Sequence, residues 1–447
     1  MRIVHYILGF PSYRSGGMTK FAMSLMKEQV NMGHDVIALW PGRMKFFDKN
    51  IAIKEHPEVF GIRNLEIVNP LPVSLDEGIT NFSAYTAACD STSYGHFLDS
   101  VAPEIIHIHT FMGLHREFVD EAKKRGIKTV FTTHDYYPVC AKVNLVYHGT
   151  LCNQAHECVF CEKCNQSALP IWKIWLLQSP LYRGIKNFRL TKMLRRKHRD
   201  QFFAVDTADS GQMGGAGAGD YQKLRGYYLA MLSLIDWIHY NSSVSKSVYE
   251  SYIADHPGTI ISITHEDIRN NIDDSGYRPG DVLRITYLAQ QNPIKGYGVL
   301  KEALDSLWDV RKDFILNVFF TPDELPEYMV VKGEGYDYKE RGDIFTQTDV
   351  LVAPSVCYET FGFTVLEALS FGVPVIVSDS VGAKDIIGGG GKVVEAGSAT
   401  ALRDAIDSLS EEKLCDMRRW IRRSFRPKLI SALAGEIDVM YKSVLST

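Results

Sequence analysis

The sequence predicts an α/β protein of two doubly wound, mostly parallel-sheet domains facing each other across a cleft. Three observations lead there. Short, continuously apolar runs recur in both halves, as strands buried on both faces require. Amphipathic helical patterns alternate with them. The alternation then restarts at Leu283, as it would at the start of a second domain.

In the first half, residues 2–9 read as the opening strand and 19–32 as an amphipathic helix with Phe21, Leu25 and Met26 on one side. Residues 33–39 give a turn and second strand. Residues 105–109 and 128–134 give further strands, separated by a basic helix. In the second half, strands are expected at 283–289, 314–319, 328–331, 349–353 and 373–377. The expected division is 1–240 for the first domain, with a cysteine-rich and basic insertion at about 140–222. Residues 241–425 form the second domain, and 426–447 a C-terminal helix.

A chain of 447 residues has room for two domains or more. Its 45% apolar and 23% charged residues are those of an ordinary globular protein. A formal charge of −4 gives no reason to expect nucleic acid. No apolar stretch reaches the length that spans a bilayer. The first nine residues, Met1 to Gly9, lack the length and the cleavage site of a signal peptide, so a cytoplasmic location is expected. The eight cysteines are then expected as thiols or metal ligands, not disulfides.

The most informative string is Pro354-Ser355-Val356-Cys357-Tyr358-Glu359-Thr360-Phe361-Gly362-Phe363-Thr364-Val365-Leu366-Glu367. Apolar runs on both sides make it strand, loop, helix, strand. A helix starting near Thr360 points free N–H groups and its positive dipole end at whatever lies above the strand, a ready phosphate site. Eight residues of helix span roughly 12 Å. That length suits a sugar at one end of a diphosphate and a ribose at the other. A lone pair of glutamates at this spacing is common, and Glu367 alone could be a solvated helix residue; the flanked string is far more specific.

The string resembles the signature of retaining GT-B-fold glycosyltransferases of family 4, which use nucleotide-sugar donors. The resemblance implies that 1–240 faces the acceptor, that 241–425 binds the nucleotide-sugar and that the 426–447 helix crosses back to the first domain. It implies that Glu359 contacts the donor sugar and Glu367 the ribose hydroxyls. It implies that the amides of Phe361, Gly362, Phe363 and Thr364 hold the diphosphate. Gly16-Gly17, after the first strand, looks like the glycine loop that similar enzymes place beside that diphosphate. His109, at a strand's C-terminal end, stands where the family often has a histidine near the sugar; a satisfied core histidine is the alternative. His134-Asp135 has a similar standing, and His107 a weaker one. Lys295-Gly296 matches a cation that pairs with the diphosphate, whereas Gln290 stands where the family usually has arginine. Glutamine cannot neutralise charge. Arg14 or Lys384 is the expected substitute cation. Glu359, His109 and Lys295 are thus the expected catalytic groups, with no cofactor needed for catalysis. The acceptor hydroxyl would attack the face the leaving group occupies, and the leaving phosphate would take its proton.

Cys140, Cys152, Cys158, Cys161 and Cys164 fall within 25 residues, and Cys158-x2-Cys161-x2-Cys164 has metal-ligand spacing. Four of the five would hold a structural zinc, or an iron–sulfur cluster. Residues 181–200 carry eight Lys or Arg and one acid, next to the aromatic stretch Ile171-Trp172-Lys173-Ile174-Trp175. Such a segment suits an anionic membrane surface; a solvated basic helix on its own domain is the other reading. Residues 210–219 are glycine-rich without the strand-to-helix context of a phosphate fingerprint, and are expected to form a loop over the acceptor cleft.

The resulting expectation is a retaining glycosyltransferase, peripheral on the inner face of the cell membrane. It would move a sugar from a nucleotide-sugar to a glycan or lipid-diphosphate-linked acceptor in bacterial surface polysaccharide synthesis. Two alternatives remain: a protein glycosyltransferase, and a weakly active or inactive subunit that stabilises a catalytic partner, which Gln290 favours. A sugar-nucleotide epimerase shares the two-domain shape, but the glutamate string points to transfer.

Overall fold

The computed structural model describes residues 1–11, 14, 16–45, 48–147, 149–152, 157–179, 182, 217–272 and 280–447. The first sheet has eight strands in the order Gly258–Ile260, Trp237–Tyr240, Lys128–Thr132, Ile105–Ile108, Arg2–Tyr6, Asp35–Pro41, Ile62–Val68, Ala52–Val59. Neighbours are parallel except the last pair. The central strands are buried on both faces, which their unbroken apolar runs anticipated. The antiparallel edge escaped sequence analysis. Its strand Lys54-Glu55-His56-Pro57-Glu58 is mostly polar, as a solvent-facing edge protected from further pairing should be.

The expected boundary at 240 falls short, because strand Gly258–Ile260 still belongs to the first sheet. Within the insertion, a small hairpin pairs Val146–Tyr147 with Thr150–Leu151. Short helices follow at Cys161–Cys164 and Ile171–Leu177. The irregular stretch expected to reach 222 ends earlier, because helix Ala218–Leu232 starts inside it. Ala218 and Gly219 of the expected glycine-rich loop therefore open a helix, while 210–216 lie outside the described residues. So does the basic segment 181–200, apart from Tyr182.

The second sheet is parallel throughout, in the order Met329–Val331, Phe314–Val318, Leu283–Tyr287, Val350–Ala353, Val375–Ser378, Gly391–Val394. Each sheet has one place where the winding reverses. In the first, Arg2–Tyr6 lies between Asp35–Pro41 and Ile105–Ile108. In the second, Leu283–Tyr287 lies between Phe314–Val318 and Val350–Ala353. Loops leaving adjacent strands at such a point diverge and open a crevice at the strands' C-terminal ends. The loops concerned carry Gly16, Gly17, His109, Lys295 and Glu359.

The two domains share a core. One apolar cluster joins Phe21, Leu25 and Met26 of helix Gly17–Asn31 to Phe361, Val365 and Leu369 of the second domain. The closing helix Ile430–Ser446 runs back onto helix Gly17–Asn31 and adds Leu433, Ile437, Tyr441 and Val444 to that cluster. Full burial of each aliphatic side chain there stabilises by about 1.5–3 kcal/mol.

Candidate active site

Gly296 fixes one wall of the site. Its φ is +78°, and a Cβ there would fall 1.9 Å from the Pro354 carbonyl oxygen. Only glycine permits that approach. The Asn292 side chain accepts from the Ile294 amide at 3.0 Å and starts the single turn Pro293–Lys295. The amides of Val356 and Cys357 donate to the Ile294 carbonyl at 3.0 and 3.2 Å. These contacts clamp the two switch-point loops together, so that Lys295 Nζ lies 3.0 Å from Glu359 Oε1. The Ser355 hydroxyl donates to the same carboxylate oxygen.

Burial works to raise the Glu359 pKa, but the Lys295 charge and the two hydrogen bonds outweigh it and hold the carboxyl below its ordinary value. Burial works to lower Lys295, and the Glu359 charge overrides it upward. Both groups are therefore charged at neutral pH. Ser355, four residues before Glu359 in the same string, was missed in the sequence, although its spacing could have identified it.

The helix after Glu359 begins at Phe363, not near Thr360. Gly362 has φ +110°, which ends any helical geometry before it. The Gly382 amide donates to the Glu359 carbonyl at 3.0 Å and the Ala383 amide to the Phe361 carbonyl at 2.6 Å, holding residues 359–361 extended. Helix Phe363–Ser370 has no side-chain cap on its first N–H groups, and neither has helix Gly17–Asn31. The two starts meet: a Cβ on Gly17 would lie 3.2 Å from the Phe363 ring. Two uncapped N-termini converging in one cleft favour a multiply charged anion.

Glu367 is closed off. Its side chain is only 3% exposed. Its Oε1 accepts from the Tyr338 hydroxyl and lies 3.3 Å from His265 Nε2 and 3.4 Å from Arg341 Nη1. Lys20 Nζ and the Arg341 guanidinium both sit over the Tyr338 ring, 2.9 and 3.1 Å from its centroid. Lys20, from the first domain, also pairs with Asp267 at 2.8 Å. Burial, reinforced by the Glu367 charge, pushes the Tyr338 phenol well above its ordinary range. None of Lys20, His265, Tyr338 or Arg341 carries a local sequence signal for this role.

Thr360 docks the donor loop on the first domain. Its hydroxyl donates to the His134 carbonyl at 3.2 Å, and the Ser242 hydroxyl donates to the Thr360 carbonyl at 2.8 Å. His109, expected among the catalytic groups, is fully buried. Its Nε2 lies 3.0 Å from His5 Nδ1 and its Nδ1 3.1 Å from His134 Nε2. Both nitrogens are thus engaged inside the first domain, and the ring does not present a free group to the cleft. Gln290 is exposed, and its carbonyl accepts from the Tyr287 hydroxyl at 3.2 Å. Of the two substitute cations, Lys384 donates to the Asp379 carbonyl at 2.6 Å, and the Arg14 amide to the Phe10 carbonyl at 2.7 Å.

The cysteines converge in part. The Cys161 thiol hydrogen-bonds to Cys158, which lowers Cys158 to about 7 against the opposing effect of burial, with help from the Arg225 charge. Cys158 takes a left-handed φ of +57°. Burial raises the Tyr252 phenol, and Cys140, Cys152 and Cys158 each add to that effect. The Cys164 sulfur is turned to the Val146 carbonyl, 3.7 Å away.

The chain belongs to the GT-B-fold glycosyltransferases: residues 324–426 match the family described as Glycosyl transferases group 1, and 15–156 match Glycosyltransferase Family 4. Among curated proteins it is similar to the phosphatidyl-myo-inositol mannosyltransferase of Mycobacterium leprae, 30% identical over 128 residues. That match takes in 26% of this chain and 34% of the relative. The enzyme of the same name from Propionibacterium freudenreichii is 30% identical over 145 residues, 31% of this chain and 38% of the relative. The chain thus spans only about a third of the curated relatives it matches. Solved structures agree in fold over nearly the whole chain. Anabaena HepE in complex with UDP is 12% identical with TM-score 0.57, covering 99% of this chain and 100% of that one. A glycosyltransferase from Rickettsia africae is 13% identical with TM-score 0.56, covering 100% and 99%.

Proposed function

We propose that the protein transfers a sugar, with retention of configuration, from a nucleoside-diphosphate sugar to a glycan or lipid-linked acceptor. The observation that carries this reading is the Glu359–Lys295 pair beside two converging uncapped helix starts. Negative charge on a departing diphosphate is stabilised by fixed N–H groups and by Lys295, in place before the reaction begins. Glu359, held ionised by Lys295 and Ser355, orients the sugar. The acceptor oxygen bonds to the anomeric carbon as its bond to the diphosphate oxygen breaks, and the acceptor proton passes to that phosphate. Glu367 serves the ribose. UDP and UDP-glucose bound in Anabaena HepE make uridine nucleotides the first donors to try.

The test is a thermal-shift screen of UDP-, GDP-, dTDP- and ADP-sugars on the wild type and Glu367→Gln. A ligand that binds the folded state alone raises the Tm. A shift with one nucleotide, lost in the variant, is expected. No shift with any of them, in well-folded protein, sinks the donor-site reading. It would favour instead the non-catalytic subunit that Gln290 suggests.

Two further elements belong to this reading. A structural metal would be held by four of Cys140, Cys152, Cys158, Cys161 and Cys164; the Cys158–Cys161 hydrogen bond supports it. Zinc or iron should copurify in stoichiometric amount and drop in Cys158→Ser; metal-free, fully folded wild type refutes it. An anionic membrane surface is the second element. Among the described residues no helix is long and apolar enough to cross a membrane. Trp172 and Leu176 are exposed on helix Ile171–Leu177, directly before the basic segment. Liposome flotation that survives changing Arg195, Arg196 and Lys197 to Glu argues against it.

A further inference from the structure

Five histidines of the first domain play no part in the reading above. His5, His107, His109 and His239 are fully buried, and His134 lies at their edge. Side chains join them into one path, and its direction can be worked out from donors and acceptors alone. His239 Nε2 lies 2.8 Å from the Ile261 carbonyl oxygen, which can only accept. His239 Nε2 therefore carries the hydrogen, and its Nδ1 accepts from the Thr132 hydroxyl at 2.9 Å. With its one hydrogen committed, Thr132 accepts from His107 Nε2 at 2.5 Å. His107 Nδ1 then accepts from the Tyr441 hydroxyl at 2.5 Å.

The path continues through the closing helix. The Tyr441 oxygen accepts from Gln29 Nε2 at 3.5 Å, which turns Gln29 Oε1 toward His5 Nε2, 2.7 Å away. His5 Nε2 donates, so its Nδ1 accepts from His109 Nε2 at 3.0 Å. His109 Nδ1 accepts from His134 Nε2 at 3.1 Å. His134 Nδ1 faces the Asn241 amide nitrogen at 3.4 Å. The far end fixes the same direction independently, because that amide nitrogen also donates to the Thr133 carbonyl at 3.0 Å.

We propose that these groups form one hydrogen-bond chain of single direction, which locks all five imidazoles as neutral Nε2–H tautomers, and that Tyr441 is the positioning residue joining its two halves. A protonated ring anywhere in the chain would point a donor at a donor. Burial acts in the same sense, lowering His5 to about 3 and His239 to about 4. Nitrogens of His5, His107 and His109 also gather within 4.8 Å, as metal ligands would. Each of those nitrogens already has a protein partner, so the set has no lone pair to spare.

The chain ends beneath the cleft. His134 gives its carbonyl to Thr360, and Ser242, next to Asn241, donates to the Thr360 carbonyl. Thr360 follows Glu359, so Tyr441 acts on the donor loop through the seat of Thr360. That last consequence rests on the donor-site reading; the tautomers do not.

The test begins with the wild type labelled with 15N in histidine. Long-range proton–nitrogen correlation should show five neutral Nε2–H rings, unchanged between about pH 6 and 8. One Nδ1–H, protonated or metal-bound ring among the five overturns the chain. In Tyr441→Phe, the His107 Nδ1 resonance should move to that of a nitrogen without a hydrogen-bond donor; an unmoved resonance removes Tyr441 from the chain. With the donor found by thermal shift, the same variant should lose about three- to tenfold in kcat at constant KM. An unchanged kcat overturns the positioning role and leaves the donor-site reading intact. The wild-type spectrum needs no variant to fold and no substrate to be known.

Discussion

Glu359 and Glu367 sit at the two ends of one short string, yet their surroundings were assembled in opposite ways. Glu359 takes its partners from close by: Ser355 in the same string and Lys295 in the loop of the neighbouring strand. It is partly open to the cleft, with 18% of its side chain exposed. Glu367 takes its partners from two distant segments, His265 on one and Tyr338 with Arg341 on the other, and is sealed. A cation of the other domain, Lys20, lies over the seal. One end is poised for a ligand. The other is occupied by the Tyr338 hydroxyl, at the carboxylate proposed to serve the ribose. On the proposed donor reading, binding would require Tyr338 to move from beneath Lys20.

The largest expected effect is at the open end. Lys295→Ala should lower the transfer rate about 10²–10³-fold, since it removes a preorganised positive charge. Initial rates at saturating donor measure it, and a rate close to wild type would remove Lys295 from the mechanism. At the closed end the sign reverses. Tyr338→Phe deletes the competing hydroxyl and should tighten nucleoside-diphosphate binding by on the order of tenfold, the worth of one hydrogen bond to a charged group. Calorimetry with UDP reads this directly; weaker binding would mean that the hydroxyl assists the ligand and does not block it.

Acid and base separate the two ends further. Glu359 has a lowered folded pKa, so the stability it contributes is complete above its unfolded value, about 4.3, and is lost as pH falls through the folded one. Lys295 is raised, so its contribution is complete below about 10.4 and is lost as pH climbs through the folded value. The Tm gap between wild type and Glu359→Gln should be level from about pH 5 to 10 and close on either side. A gap that widens steadily toward acid contradicts the ion pair. The smallest effect is at the rim. Asp267→Asn removes a half-exposed partner of Lys20 and should cost no more than about 1 kcal/mol in urea unfolding. A much larger loss would show that the Lys20 contact holds the domains together.

Much of the frame could be read from the sequence. The runs at 105–109, 283–289 and 349–353 lie at the strands Ile105–Ile108, Leu283–Tyr287 and Val350–Ala353, because an apolar run in a parallel sheet needs no long-range information to be recognised. The edge strand Ala52–Val59 was invisible for the converse reason: its side chains face water and carry no apolar pattern. The helix start slipped from Thr360 to Phe363 because amides from residues 382 and 383 hold the intervening backbone, and they come from another loop. His109 was placed correctly at a strand end. Its neighbours, His5 and His134, lie 104 and 25 residues away, and they decide that it faces inward.

The sequence by itself determined the central strands of both sheets and the string that carries Glu359 in its loop and Glu367 in its helix. These depend on periodicity and on chemistry within a few residues of chain. Tertiary structure alone decided that Lys295 meets Glu359, that Tyr338 closes over Glu367, and that Tyr441 reaches His107 across 334 residues. Those contacts follow from where the winding of each sheet reverses and how the closing helix returns. No local pattern encodes a distance between residues that meet only when the chain has folded.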